Sequence, residues 1–490
     1  MCNSIVDAMM QNSRRFPEKT ALADSRGKYS YRELAESVSR AAGWMEANGI
    51  SAGDRIIVEC TQNASFIILG LACELLEAVF VPIEKKTTVD RATHTYQEVG
   101  AKCVIGQSDY SQIGAFYNSS QVMDELREFA ANRQDCSRKA GTAEILFTTG
   151  TTGQPKGIII SNGANVAIAE NISSGVKMTS DTVELIPLPL SHSHGLRTCY
   201  ANLFAGCTAV VIDGVMNIGQ FFGLIEKYRV NALDISPTLA KLLLKIAQKG
   251  LVKYADEIEY IEIGTAVLEN DTKEQLKAIF TGTRLYNFYG STEAGRSCVL
   301  DFNEFDDTGC VGYPTQNASV LVVDDNRDKM NSSKENPGLI AVSGKMMMDG
   351  YFRSEELTKE TVVDGVLYTS DLGYIDEAGR VYVIGRKDDI INYKGIKIAP
   401  EEIENVAVRY KGIKDCACIP IEDPVCGQAP KLFVSLYPLE SVNMQQFMDY
   451  LKTNLESNRV PVSIEIMEQI PRSWNGKLQR KRLKGYEINS

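Results

Sequence analysis

Several things are scarce in this chain of 490 residues, and each scarcity removes a class of function. Histidine occurs only as His94, His192 and His194, too few for a histidine-rich metal centre. The 12 cysteines include no CxxC pair, and the closest two, Cys416 and Cys418, lack the spacing of a structural zinc site. The segment from Met1 to Arg15 has no continuous apolar stretch of the secretory type, so reduced thiols and a cytoplasmic setting are expected. No apolar run is clean enough to span a membrane: the best, Phe66 to Ile83, is interrupted by Glu74 and Glu77 and reads as a buried helix running into a strand. Positive charge is in deficit, with 52 Lys and Arg against 63 Asp and Glu and a net charge of −11. That balance disfavours non-specific binding to nucleic acid or anionic lipid, so any phosphate site must be local.

What is present is the composition of a soluble globular protein, 44 % apolar and 23 % charged, in a chain too long for one compact core. Short β-branched runs at Arg55 to Glu59, Val79 to Ile83, Lys102 to Ile105, Thr208 to Ile212, Ala232 to Ile235 and Tyr260 to Ile263 read as buried strands. Between them, Ser30 to Asn48, Gly219 to Tyr228, Thr238 to Lys249 and Asn270 to Ile279 carry apolar residues at helical spacing. Strand alternating with helix predicts an α/β fold with largely parallel sheets. From about Ser319 short strands and turns dominate, and after the charged turn Gly385-Arg386-Lys387-Asp388-Asp389 a fresh α/β alternation begins. The expected domains are therefore 1–387 and 388–490, the second of ordinary size for a small domain.

The strongest local signal is Thr148-Thr149-Gly150-Thr151-Thr152-Gly153-Gln154-Pro155-Lys156-Gly157, a loop between two apolar strands. Its glycines admit backbone N–H groups to an anion, its hydroxyls donate hydrogen bonds and its lysine supplies charge, which suits polyphosphate. It is not a Walker A loop, because Lys156 follows proline, no Ser or Thr follows the lysine, and a strand comes next. Taken alone, an ordinary Gly/Thr hairpin fits as well. Tyr286-Asn287-Phe288-Tyr289-Gly290-Ser291-Thr292-Glu293, after the strand-like Thr283 to Leu285, ends in a hydroxyl for a phosphate and a carboxylate for Mg²⁺. Asp371, at the expected end of a strand in Tyr368-Thr369-Ser370-Asp371, can accept from ribose hydroxyls. Near the C-terminus, Lys477 follows the turn residues Asn475-Gly476, exposed and free to reach a cleft. Each of the last three also has a bland reading, a solvated strand-end carboxylate, a turn residue or a basic tail.

Together these segments resemble the adenylate-forming superfamily of acyl-CoA synthetases, peptide-synthetase adenylation domains and beetle luciferases, most of all its acid–CoA ligases. The resemblance runs from Tyr29 to Leu34 through Thr148 to Gly157, Pro189 to Leu196, Gly264 to Ala266, Tyr286 to Glu293, Gly344 to Tyr351, Tyr368 to Gly373 and Gly385 to Gly395 to Pro471 to Arg480. It implies a large N-terminal domain of two β-α-β-type subdomains plus a distorted β-barrel, and a small mobile α+β C-terminal lid. It further implies that Thr148, Thr149, Gly150, Thr151, Thr152, Gly153 and Lys156 hold the β- and γ-phosphates of ATP. Gly264, Thr265, Ala266, Asn287, Phe288 and Tyr289 would line the adenine pocket, Gly290 would also bind the nucleotide, and Asp371 and Arg386 would hold the ribose. Thr292 would contact the α-phosphate, Glu293 would bind Mg²⁺, Lys477 would bridge carboxylate and α-phosphate, and Asp388 would be the hinge.

The implied reaction joins a carboxylic acid to AMP with loss of pyrophosphate, then passes the acyl group to the thiol of coenzyme A. Two alternatives stay open: loading of a phosphopantetheinyl carrier protein, and a catalytically silent binding homologue. The segment Pro189-Leu190-Ser191-His192-Ser193-His194-Gly195-Leu196 resembles that of acyl- and aryl-CoA synthetases and makes His192 a candidate substrate gate. Arg197 can pair a second carboxylate of the substrate or stand exposed on its helix, and the exposed position is the expectation. Three departures from the family pattern are Glu77 at a common glycine, Leu339 at a common glutamate, and Asn392 at a lysine used in thioester or luciferase-type chemistry.

Overall fold

The computed structural model describes residues 2–131, 141–149, 155–394, 396–438, 440–472 and 478–484. Contacts divide the chain into two units, Met1–Val320 with Val342–Leu367 and Leu321–Ala341 with Tyr368–Ser490. Asp388, the expected domain boundary, falls inside the second unit, in a turn where the Asp389 and Ile390 N–H groups both donate to the Arg386 carbonyl. Among the described residues every cysteine is free and no helix is long and apolar enough to cross a membrane.

The first unit holds two sheets. One has seven strands in the order Gly350–Tyr351, Pro155–Ser161, Thr142–Thr149, Val79–Ile83, Arg55–Glu59, Cys103–Gly106, Phe116–Asn118. The strands from Thr142–Thr149 onward run parallel, and the first two pair antiparallel. Val79–Ile83 is buried along its whole length, which explains an apolar run without alternation: helices cover both faces of a parallel sheet. The helix before it, Ala64–Leu75, returns to this strand through Glu77 at φ +59°, a left-handed conformation that favours glycine and accounts for the glycine common in the family.

In the second sheet the strands Arg284–Ser291, Tyr260–Ile263, Ala232–Ile235, Val183–Ile186, Thr208–Val211 and Thr20–Ala23 lie side by side and parallel. Antiparallel neighbours at its ends include Gly295–Asp301 and Lys28–Ser30. Ser30 then opens the helix Tyr31–Ala47 with a reciprocal cap: its hydroxyl accepts from the Glu33 N–H and its own N–H donates to the Glu33 carboxylate. The helix Ser193–Ala205 serves both sheets, since Arg197 pairs with Glu144 of Thr142–Thr149 and Asn202 donates to Glu184 of Val183–Ile186 at 2.5 Å.

Two boundaries differ from the sequence reading. The strand Arg284–Ser291 runs through most of the Tyr286 to Glu293 motif instead of ending before it, because each residue from Tyr286 to Ser291 finds a partner in Gly295–Asp301. The helix expected over Thr238 to Lys249 breaks at Ala247 into Pro237–Ile246 and Gln248–Tyr254.

In the second unit Val366–Ile375 pairs antiparallel with Val381–Arg386. Asp371 thus lies within a ladder directly opposite Arg386, and not at a strand end as expected. A five-stranded sheet follows, with Gly427–Leu436 between Ile391–Tyr393 and Ile413–Asp423 and parallel to Ser463–Ile466. The helices Pro400–Ala407 and Met444–Asn454 pack Ile403, Ala407, Phe447 and Leu451 onto Ile413, Cys416, Leu432 and Val434.

Candidate active site

The described ends of the Gly/Thr segment lie on two antiparallel strands, Thr142–Thr149 and Pro155–Ser161. Thr148 stands opposite Lys156 and Thr149 opposite Pro155 in the antiparallel ladder, and a strand does follow the loop. Gly150, Thr151, Thr152 and Gly153, like Lys477 near the C-terminus, lie outside the described residues. The Lys156 ammonium sits 5.5 Å from the centroid of the Tyr351 ring, a cation–π contact. Tyr351 reaches it because Gly350–Tyr351 pairs with Ile158 and Ile159 on the outgoing arm of the hairpin. The Tyr351 hydroxyl donates to Glu293 Oε1 at 3.2 Å. Three segments far apart in sequence therefore bring the loop lysine and the expected metal carboxylate onto one aromatic ring.

Glu293 and Thr292 are half-buried at the turn between Arg284–Ser291 and Gly295–Asp301. Gly290 and Gly295 make that turn possible: a Cβ on Gly290 would collide with the Gly295 carbonyl, and Gly295 is left-handed at φ +59°. The Glu293 carbonyl is fixed by the Met348 N–H at 2.8 Å. Among the described residues no group of three or more metal-ligating side chains exists. A lone glutamate fits Mg²⁺, which takes one or two carboxylates and completes its shell with water and substrate phosphates.

Phe288 forms the next layer. A Cβ on Gly264 would drive into its ring, so glycine is required for this approach. The His194 ring meets Phe288 edge-on at 4.7 Å, and the Arg296 guanidinium lies 3.5 Å from its centroid. Beside Gly264, Thr265 is left-handed at φ +80° and, with Ala266, exposed. Asn287 is buried in register with Ile263, while Tyr289 is half-buried and Gly290 exposed.

Near Phe288 lies a set of buried ionisable residues, of which only His194 stood in a segment that the sequence reading singled out for its chemistry. His194 Nε2 is 2.6 Å from Asp234 Oδ1, Arg296 pairs with Glu262, and Glu184 is bound by Asn202. Burial lifts the Glu184 carboxyl well above the carboxylate range, helped by the like charges of Glu262 and Asp234. Burial also raises Glu262, against the pull of Arg296. A signal for these residues was present: Val-Glu-Leu-Ile, Ala-Leu-Asp-Ile and Tyr-Ile-Glu-Ile each carry one acid in a strand that is otherwise apolar.

His192 occupies the N-cap position of Ser193–Ala205, with Nε2 3.5 Å from Glu84 Oε1. The His192 bond, opposed by partial burial and aided by Arg91, holds the Glu84 carboxyl below its usual range. Arg197 corrects the expectation of an exposed helix residue. Its side chain is 4 % exposed and paired with Glu144, because its helix is enclosed between the two sheets. Glu144 supplies the carboxylate that the alternative reading of Arg197 would have taken from a dicarboxylic substrate.

In the second unit the Asp371 and Arg386 side chains stand 3.9 Å apart, an ion pair too long for a hydrogen bond. Asp388 is exposed in its turn, and Asn392 lies on Ile391–Tyr393. Leu339 packs with Leu372, Ile390 and Ala399, a place where a glutamate would be costly. Arg480 is gripped by Glu404 at 2.8 Å, Glu401 at 2.9 Å and Asp389 at 3.8 Å.

Comparison with known proteins agrees in family and in fold. The family model described as AMP-binding enzyme matches residues 9–352, and that of the AMP-binding enzyme C-terminal domain matches residues 402–477. Among curated relatives, feruloyl-CoA synthase of Amycolatopsis sp is 26 % identical, covering 96 % of each chain. 2-Succinylbenzoate–CoA ligase of Bacillus cereus is 24 % identical over 99 % of each chain. ATP-bound MatB from Rhodopseudomonas palustris shares the fold, with a TM-score of 0.90 at 24 % identity over 100 % of this chain and 99 % of that one. So does o-succinylbenzoate coenzyme A synthetase (MenE) from Bacillus subtilis in complex with ATP and magnesium ion, at a TM-score of 0.87 and 24 % identity over 97 % and 99 % of the two chains.

Proposed function

Because this chain belongs to the AMP-binding enzyme family, we propose that it is an AMP-forming acid–thiol ligase that activates a carboxylic acid with ATP and transfers the acyl group to coenzyme A, in a reducing cytoplasm. The observation that supports this reading is the convergence of Lys156 and Glu293 on Tyr351, a lysine and a carboxylate on one ring as a site for phosphate and Mg²⁺ would need. In the first half-reaction a substrate carboxylate oxygen bonds to the α-phosphorus and the bond to the bridging oxygen breaks, releasing pyrophosphate. In the second, the coenzyme A thiolate bonds to the acyl carbon and AMP departs.

Both partners of the first step are anionic, so charge neutralisation and alignment are the chemical problem. Lys156 and the hairpin hydroxyls bind the β- and γ-phosphates, Thr292 donates to the α-phosphate, and Asp371 with Arg386 orients the ribose. Mg²⁺ held by Glu293 would neutralise phosphate charge. Gly264, Asn287, Phe288 and Tyr289 receive the adenine, and His192, steadied by Glu84, faces the entering acid. Lys477 bridges carboxylate and α-phosphate, and Asp388 is the hinge on which the C-terminal region turns between the half-reactions.

The test is acid-dependent release of pyrophosphate from ATP and Mg²⁺ across short, long, aryl and dicarboxylic acids, with and without coenzyme A. Release triggered by one class of acid and accelerated by coenzyme A is the expected result. Release that stops after one turnover despite coenzyme A would overturn it as acceptor and point to a carrier protein. Lys477→Ala should lower adenylation by about 10²–10³-fold, the usual cost of losing one transition-state contact, while ATP still binds.

A further inference from the structure

We propose that Arg472 and Asp415 are positioning residues for Lys477: their ion pair fixes the base of the segment that carries the lysine, so adenylation depends on the pair and thioester formation does not. The inference rests on the acid-activating function and the role of Lys477 proposed above, and adds the residues that hold the lysine in place.

Arg472 and Leu478 form an antiparallel bridge, and across the same base the Gln479 N–H donates to the Pro471 carbonyl at 2.9 Å. The chain leaves this base at Arg472 and returns to it at Leu478, and Lys477 is the last residue before the return. Both sides of the base rest on one strand, Ile413–Asp423. On the leaving side the Arg472 guanidinium makes two bonds to Asp415, Nε to Oδ2 at 2.7 Å and Nη2 to Oδ1 at 2.8 Å. The Cys416 N–H, 2.9 Å from Asp415 Oδ1, orients that carboxylate in turn. On the returning side Leu478 packs with Ala417 and Ile419 of the same strand. Arg480 Nε donates to the Cys418 carbonyl at 3.2 Å, besides the ion pairs of this arginine with Glu404 and Glu401.

The two sides differ in what their loss would do. Leu478 and Arg480 are part of the packing of the second unit, so removing them costs the fold. The Arg472 and Asp415 side chains are 37 % and 27 % exposed, and an ion pair this open contributes little to stability. What it does contribute is direction, because a two-pronged guanidinium–carboxylate contact fixes orientation as well as distance. Without the pair the base is held on its returning side alone. Lys477 has a flexible four-carbon stem and one place to fill, between carboxylate and α-phosphate, and a displacement of 1 Å at such a place costs about a hundredfold in rate. Because the lysine serves the first half-reaction and not the second, a fault in its placement falls on adenylation.

The experiment measures the two half-reactions separately in the full chain, with the acid that the release assay above selects: pyrophosphate release from ATP and Mg²⁺, and thioester formation from preformed acyl-AMP and coenzyme A. Arg472→Met and Asp415→Asn should each slow adenylation about tenfold and leave thioester formation unchanged. The double variant should be no slower than either single one, because both break the same pair. Arg472→Lys, which keeps the charge and loses the fork, should recover part of the rate. In a Lys477→Ala background Arg472→Met should cost nothing further. Equal loss in both half-reactions would overturn the proposal and reduce the pair to a structural tie. So would unchanged adenylation in Arg472→Met, or a tenfold loss that persists in the Lys477→Ala background. Full adenylation by Lys477→Ala would remove the role given to the lysine and this inference with it, whereas no release by the wild type with any acid would sink the acid-activating reading itself.

Discussion

In the first unit, His194, Asp234, Glu262 and Arg296 are buried around Phe288 with one partner for each acid, whereas in the second unit Arg480 gathers Glu404, Glu401 and Asp389 around a single guanidinium. The first cluster leaves His194 Nδ1, Asp234 Oδ2 and Glu262 Oε1 without hydrogen-bond partners, and the second leaves Glu401 Oε2. In the second, both Glu404 oxygens lie 2.8 Å from the same Arg480 nitrogen, and the Glu404 Oε1 also accepts from the Cys418 N–H. Similar side chains therefore serve different ends. A network centred on one arginine and tied to the backbone fixes one segment to another, while a network split into separate pairs leaves more of its acceptors unused.

The sharpest way to break this contrast is to remove the arginines. Arg480→Met should destabilise the second unit by about 3–5 kcal/mol, because three carboxylates lose their common partner in a buried place. Replacing Glu404 by Gln in the same chain should restore part of the loss, which thermal denaturation would show. Arg296→Met with Glu262→Gln should likewise regain stability yet alter the choice of acid. Identical behaviour of the two double variants in stability and selectivity would erase the distinction.

Next in size is a pH effect. Burial, with the like charge of Glu401, holds Glu404 up at about 7 against the pull of Arg480. One guanidinium cannot offset three carboxylates, so the folded state keeps a proton that the unfolded chain gives up near pH 4.5. Stability from this group is present in full below pH 4.5 and is lost as pH rises through 7, a fall of roughly 2–3 kcal/mol. Glu404→Gln should flatten the stability profile over that range, and an unchanged slope would show that the proton resides elsewhere.

A smaller effect separates anchor from hinge. Asp388, the proposed hinge, lies beside Asp389, the turn residue that contacts Arg480. If the turn must flex between half-reactions, Asp388→Pro should slow thioester formation about tenfold and spare adenylation, since proline fixes φ. Equal loss of both half-reactions, measured separately, would argue that the turn only holds the fold together.

Much of this arrangement was legible in the residues, and the gaps have physical causes. Ala232 to Ile235 and Tyr260 to Ile263 were readable to the residue because burial on both faces selects a continuous apolar run. The acids inside those runs were equally visible, yet their joint meaning depends on strand neighbours that are distant in sequence. Arg197 misled for the same reason: its helix looks one-sided until a second sheet is placed on its other flank. Asp371 was found by its motif, but its position opposite Arg386 depends on strand pairing. Tyr351 carried no catalytic signature and gains its importance from pairing with the outgoing arm of the Gly/Thr hairpin.

Tyr351 also supplies the smallest expected effect and the finest test of how the first unit is organised. Its hydroxyl donates to one Glu293 oxygen, at 3.2 Å, and its ring supports Lys156 at 5.5 Å. Tyr351→Phe keeps the ring and deletes the hydroxyl, so the lysine contact persists and the loss is one hydrogen bond to a carboxylate, about 1 kcal/mol or a few-fold in rate. Because that carboxylate is the proposed Mg²⁺ ligand, the loss should appear as a higher Mg²⁺ requirement with little change in the ATP concentration needed at saturating Mg²⁺. Tyr351→Leu removes both contacts and should raise the ATP requirement as well. If the two variants behave alike, Lys156 and Glu293 do not act through this ring as separate arms, and the convergence on Tyr351 is packing alone.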